Sequence, residues 1–281
     1  MSTYRTSRPA DGRTRDHVSV SPTTKRFTLD RVDVAELIAG VRREGDRLLE
    51  VAAAGDLNTP VPTCPGWELR DLVRHIGGIH RWARQIITTP YTRPLVGDLE
   101  VIAGGWPADA DLVGWAKSGH DRIVETLEQA SPDVAVWSFW PSPSPLAFWA
   151  RRMAHETAMH RADAEATLIG QIEPYPVDFA LDGLEEMLYG FASRRHSRLQ
   201  SDPPKTFHLH TTDGAGEWVA TIGPEGTRVT SGHAKADCAV AGPASDLFLL
   251  VWNRRDTSGL QVFGDTSVLD LWRTRMLVRW E

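Results

Sequence analysis

The sequence is poor in the features that mark secreted, membrane-spanning and nucleic-acid-binding chains. Only two cysteines occur, Cys64 and Cys238, too few for a disulfide scaffold and suited to a reducing compartment. No segment approaches the roughly 20 consecutive apolar residues that span a bilayer. Residues Met1 to Lys25 carry Arg5, Arg8, Arg13 and Arg15 but no apolar run that could serve as a signal-peptide core. These absences predict a cytoplasmic protein with no membrane partner. Positive charge is not in surplus: 31 Lys and Arg against 37 Asp and Glu give a net charge of -6. The electrostatic footprint that nucleic acid requires is therefore missing.

What is present fits an ordinary globular chain, with 41% hydrophobic and 24% charged residues. At 281 residues the length predicts two domains, each able to bury a core. Residues 1–27 mix Ser, Thr, Pro and Arg without periodicity and read as a flexible leader. Residues 28–200 read as helices. Val34, Leu37, Ile38, Val41, Leu48, Leu49 and Ala52 recur at three- and four-residue steps. After the Pro62 to Gly66 loop, a second helix beginning near Trp67 carries a stripe of Leu72, Ile76, Ile79, Ala83 and Ile86, with His75 in the same stripe. A Pro- and Gly-containing loop follows, then a helix near Asp109 to Gln129, and a fourth helix after the proline-rich segment ending at Pro145. A fifth begins near Val177, with an acidic face of Asp182, Glu185 and Glu186 that reads as solvated. Residues 201–281 change texture. Phe207 to Thr211 and Glu217 to Thr221 alternate with the period of strands around Asp213-Gly214, further strands follow, and helical patterns return in Ala244 to Trp252 and Ser267 to Arg273. The expected fold class is a helical bundle followed by a small α+β domain.

The fourth helix has a seam of Leu146, Trp149, Met153, Glu156, His160 and Asp163, so three polar residues interrupt an inward face. Glu156 and His160, four apart, stand about 40° from each other round the helix, one turn above the other. Burying the carboxylate unpaired costs several kcal/mol unless a positive partner compensates it. A divalent cation does so, and imidazole with carboxylate suits zinc or another first-row metal. His75, inward on a different helix, is placed as a third ligand from a facing bundle helix would be. The alternative is a core histidine hydrogen-bonded to a neighbour, Glu156 included, and pattern alone leaves the two readings even.

Nearby residues take lesser parts. His155 is five residues from His160, about 140° away round the helix, and is left out of the ligand set. Asp163 either orients His160 through a hydrogen bond or pairs with Arg81 or Arg161. Arg81 and Arg152 are candidates to support the ligands or face a substrate, although the arginines Arg81, Arg84, Arg151, Arg152 and Arg161 mostly read as solvent-facing. Cys64 precedes Pro65. At the N-cap of the second helix its thiol pKa would fall; as a small buried residue in a tight loop under Trp67 it would be inert, and the second reading is preferred.

The segments Val61-Pro62-Thr63-Cys64-Pro65-Gly66-Trp67, Asp71-Leu72-Val73-Arg74-His75-Ile76-Gly77 and Trp149 through Asp163 resemble the amino-terminal domain of actinobacterial mycothiol-dependent maleylpyruvate isomerases, a branch of the DinB-like four-helix proteins. Leu181 to Leu188 matches as well, and Gly242 to Leu247 resembles the sterol-carrier-like carboxy-terminal domain of the same proteins. The resemblance implies a zinc ion held by His75, Glu156 and His160, mycothiol as thiol cosubstrate, and a small electrophilic substrate. It also implies an enzyme in which three protein ligands leave a coordination position open. A thiol brought to such a cation is deprotonated at neutral pH. Two reactions share that first step: S-transfer or conjugation, preferred here because the fold is widely reused, and cis–trans isomerisation of the maleylpyruvate type. A non-catalytic ligand-binding or regulatory protein is the reading from another class. The expected assembly is a monomer or homodimer.

Overall fold

The computed structural model describes residues 32–140, 142, 144–194 and 197–278; the leader at 1–27 lies outside them. Four long helices form the first half: α1 (Val34–Ala53), α2 (Leu69–Thr88), α4 (Asp109–Gln129) and α5 (Pro145–Leu168), with a short α3 (Leu99–Ala103) in the loop before α4. Local chemistry sets their starts. The Asp33 carboxylate accepts from the Ala35 N–H at 2.9 Å, the Asp71 carboxylate accepts from the Glu68 N–H at 3.0 Å, and α5 combines a Ser144 hydroxyl cap with Pro145 in its first turn, where a missing N–H costs nothing.

α1 packs chiefly on α5 and α4, and α2 chiefly on α4. That arrangement encloses α5, which is buried at every position from Leu146 to Glu165. A helix buried all round must pair its own charges, and this corrects the expectation of solvent-facing arginines. Arg151 donates to Asp182 Oδ1 at 2.8 Å and to the Asp182 carbonyl at 2.7 Å. Arg161 donates to Glu44 at 2.9 Å and also to Glu165. Asp182 and Glu186, expected on a solvated face, are buried too. They serve as counter-ions to α5.

Beyond α5 the chain forms α6 (Val177–Glu185), which widens into a π-helical segment, Glu186–Ala192. A five-stranded mixed sheet follows, composed of β1 (Lys205–Thr211), β2 (Glu217–Gly223), β3 (Gly226–Ser231), β4 (Cys238–Gly242) and β5 (Gln261–Gly264). Its order is β3-β2-β1-β4-β5, and only β1 and β4 run parallel. α7 (Ala244–Val251) connects β4 to β5, and α8 (Ser267–Arg275) follows β5. α7 lies between α6 and the sheet; hence Leu247, Phe248, Leu249, Leu250 and Val251 are all buried. One continuous apolar core runs from α1 and α5 through α6 and α7 into Phe207, Leu209, Trp218 and Val240 of the sheet. Among the described residues no helix is long and apolar enough to cross a membrane.

The end of α7 has a consequence for the site. Asn253 adopts the left-handed conformation, φ 61°, which asparagine tolerates better than other side-chain-bearing residues. The Asn253 N–H donates to the Leu250 carbonyl at 3.0 Å and the Arg254 N–H to the Leu249 carbonyl at 2.8 Å. This Schellman pattern stops the helix and reverses the chain. Arg254 is thereby directed back toward α5.

Candidate metal centre and its cavity

His75 from α2 and Glu156 and His160 from α5 come together. His75 Nε2 lies 3.1 Å from Glu156 Oε1, and His160 Nε2 lies 3.3 Å from the same oxygen. One donor atom from each residue falls within 4.8 Å of the others. Each orientation has a cause. Arg152 donates to Glu156 Oε2 at 2.9 Å and to the buried Glu186 carboxylate, which turns Oε1 toward the imidazoles. Asp163 Oδ2 stands 2.8 Å from His160 Nδ1, which leaves Nε2 as the nitrogen facing Glu156. Trp67 roofs the pair, its ring centroid 5.0 Å from that of His75 and 6.0 Å from that of His160, nearly parallel to the latter at 20°.

The electrostatics favour a cation at this point. Burial pushes the Glu156 carboxyl up, but hydrogen bonds from His160 and His75 and the Arg152 charge outweigh it and hold the group well below the usual range. Burial pushes His75 down, so an ionised carboxylate faces a neutral imidazole. His160 also suffers burial, but hydrogen bonds to Asp163 and Glu156 outweigh it and raise its pKa to about 9. At that value His160 is an imidazolium at neutral pH and gives up its proton when an ion binds; two imidazoles and an ionised carboxylate are then a donor set of the kind that divalent zinc takes. The residues fit such an ion.

The three residues border a cavity of 570 Å³, whose wall also includes Cys64, Trp67, Met159, Met187, Trp252 and Arg254. Its size is that of a small-molecule site. Arg254 is the residue that reading the sequence missed. Its Nε and Nη2 donate to the two oxygens of Asp163 at 2.9 Å each, and its Nη1 donates to the Trp252 carbonyl at 2.9 Å. The available signal was Asn253, immediately after the predicted helix Ala244 to Trp252, as a left-handed stop that turns the next residue inward.

Arg81 is not brought to this centre. It donates to the carbonyls of Gly77 and Trp115 at 2.9 and 2.7 Å and stacks over Trp115 at 3.7 Å. Asp163 pairs with Arg254 instead of with Arg81 or Arg161. His155 is turned away from His160 and sits 2.6 Å from Asp182. Cys64 is not an N-cap: α2 starts at Leu69, and Cys64 lies in the preceding turn. Burial and the Asp163 charge push its thiol up to about 12 against the opposing effect of Arg254, so without an ion beside it Cys64 is not a thiolate nucleophile; its sulfur lies within 4.8 Å of donor atoms of His160 and Asp163.

Comparison with known proteins places this architecture. The model of the mycothiol maleylpyruvate isomerase N-terminal domain matches residues 38–165, and that of the MDMPI C-terminal domain matches residues 178–271. The chain belongs to the mycothiol maleylpyruvate isomerase family. Two solved structures share the fold. The mycothiol-dependent maleylpyruvate isomerase is 12% identical with a TM-score of 0.59, and a histidine-to-alanine mutant of a protein of that name is 14% identical with a TM-score of 0.61. Each likeness covers 84% of this chain and 95% of the other. No curated protein matches. The family is one of thiol-dependent enzymes.

Proposed function

We propose that His75, Glu156 and His160 bind a zinc-type divalent ion, and that the adjoining cavity takes mycothiol together with a small unsaturated carboxylate, which it isomerises from cis to trans. The observation that carries this reading is the aim of two imidazole Nε2 atoms at one oxygen of Glu156, at the edge of a 570 Å³ cavity with a guanidinium in its wall. An ion held there would supply the positive charge that keeps an incoming thiol deprotonated near neutral pH.

The protein's own groups account for the remaining requirements. Arg254 has five N–H groups; Asp163 and Trp252 take three and Cys64 Sγ accepts a fourth from Nη2 at 3.7 Å, which leaves one Nη1 N–H for a substrate carboxylate. Asp163 keeps that guanidinium charged and in place. Trp67, Met159 and Met187 give the cavity apolar walls, which exclude water and leave a carbon chain room to turn. The thiolate sulfur adds to one alkene carbon and the electron pair moves onto the conjugated carbonyl. Rotation about the resulting single bond and expulsion of the same thiolate give the trans product, with no net gain or loss of atoms.

Sequence reasoning prefers S-transfer. Two observations support isomerisation: the family match carries that activity in its name, and Arg254 supplies the cationic grip that a dicarboxylate wants. Protein as purified, incubated with mycothiol and maleylpyruvate, is expected to convert the cis to the trans isomer by proton NMR, and His75→Ala and His160→Ala to lose both activity and bound zinc. A mycothiol adduct that accumulates without isomerisation establishes transfer instead. Absence of zinc from the wild type, or a zinc content in both variants equal to that of the wild type, refutes the metal centre.

A further inference from the structure

The sheet carries a second convergence of ligating groups, far in sequence from the bundle residues. Phe207 and Leu209 of β1 point into the core, so His208 and His210, which alternate with them, share the outer face. Glu217 of β2 is the register partner of His210 and therefore projects on that same face. The chain then folds His233 over it: Gly232 takes φ 107°, and its N–H donates to the Glu217 carbonyl at 2.9 Å.

All three imidazoles reach one atom. Glu217 Oε1 lies 3.0 Å from His208 Nε2, 3.1 Å from His210 Nδ1 and 2.7 Å from His233 Nδ1. Donor atoms of His208, His210 and Glu217 lie within 4.8 Å of one another, and the His208 and His233 rings meet edge to face with centroids 5.2 Å apart. A carboxylate oxygen has two lone pairs, one fewer than the ring nitrogens gathered on it. A tetrahedral cation satisfies four such donors at once.

We propose that His208, His210, Glu217 and His233 form a second metal site, which binds a first-row divalent ion of the zinc class independently of the bundle centre. Three imidazoles and a carboxylate are the donors that zinc, nickel and copper prefer over magnesium or calcium. His208, His210 and Glu217 are the ligands already gathered; His233, 2.7 Å from Glu217 Oε1, shifts toward the ion on its exposed loop to close the sphere as the fourth, which makes the bound ion structural rather than catalytic. It ties β1 and β2 to the loop after β3. His210 is half-exposed and His233 is largely exposed, and the ion exchanges with solvent and with chelators.

The test compares tag-free full-length wild type with His210→Gln/His233→Gln, two exposed positions whose replacement leaves the core untouched. Both are stripped with EDTA, reloaded with zinc and dialysed, and bound metal is counted by mass spectrometry; cobalt substitution reads the geometry by visible absorption. The double variant is expected to hold one equivalent fewer than wild type, and Glu217→Gln to weaken zinc binding by roughly tenfold or more. Equal metal content in wild type and double variant overturns the proposal. The outcome is separate from that for the bundle: if wild type holds only the one equivalent that the double variant loses, the bundle reading fails and the sheet site stands.

Discussion

Arg254 and Asp163, 91 residues apart in the chain, form a two-pronged ion pair, with Nε on one carboxylate oxygen and Nη2 on the other, each at 2.9 Å. The Asp163 carboxyl is wholly buried. Burial pushes its pKa up, but the Arg254 charge and the His160 hydrogen bond outweigh that and hold it far below the usual carboxylate range. Removing one partner of such a pair strands the other charge, at a cost of about 3 kcal/mol. Urea unfolding of Arg254→Ala and Asp163→Asn should show losses of that order. Arg254→Lys keeps the charge but loses the fork, and should raise KM for the carboxylate substrate roughly tenfold with a smaller stability loss. Unchanged KM would remove Arg254 from substrate binding.

The left-handed residue before it should be equally sensitive to shape. Asn253→Gly is expected to be nearly neutral, because glycine adopts φ 61° freely. Asn253→Val places a β-branched residue there and should cost about 1–2 kcal/mol. The measurement is a pair of thermal melts, combined with steady-state kinetics. Greater loss of activity than of stability in the valine variant would show that the turn aims Arg254.

Acid should unpick a second buried pair, Arg151 with Asp182. Burial raises the Asp182 pKa, but Arg151 and His155 outweigh it and the net shift is downward. A depressed folded-state value adds stability above the unfolded pKa, about 3.9, and that stability is lost as pH falls through the folded value. Asp182→Asn should therefore be less stable than wild type by about 3 kcal/mol at neutral pH. The gap should stay constant down to about pH 5 and shrink below about pH 4. A gap that widened on acidification would contradict the assignment.

Cys64 should be quiet. With its thiol pushed to about 12, the thiolate fraction at pH 8 is about 10³-fold lower than for an ordinary cysteine. Iodoacetamide should label it correspondingly slowly in the native protein, and at the free-thiol rate in urea. Intact-mass spectrometry reads both. Rapid native labelling would restore Cys64 as a candidate nucleophile.

The sequence displayed the elements well because most of them keep one face in water. The stripe of α2 and the alternation of β1 and β2 are visible for that reason. Reading failed where a helix is enclosed. α5 is buried on every side, so Arg151, Arg152 and Arg161 cannot be told from surface arginines by period, and their counter-ions lie on α1, on α6, on the π-helical segment after it and on α5 itself. Helix phase explains why Glu156 and His160 meet, but Arg254 is invisible to it, since no local pattern connects α5 with the end of α7. The His208 and His210 spacing on a strand was legible; the third and fourth partners needed the β1–β2 register and the turn at Gly232.

The distance between Asp163 and its arginine also orders events in time. At 5–20 residues per second, a ribosome needs roughly 5–20 s to add the 91 residues that separate them. Throughout that interval the helices can assemble, but the carboxylate they enclose has no guanidinium to answer it, and the growing chain is held short of its final stability. A later-synthesised residue thus acts as a latch on helices made before it.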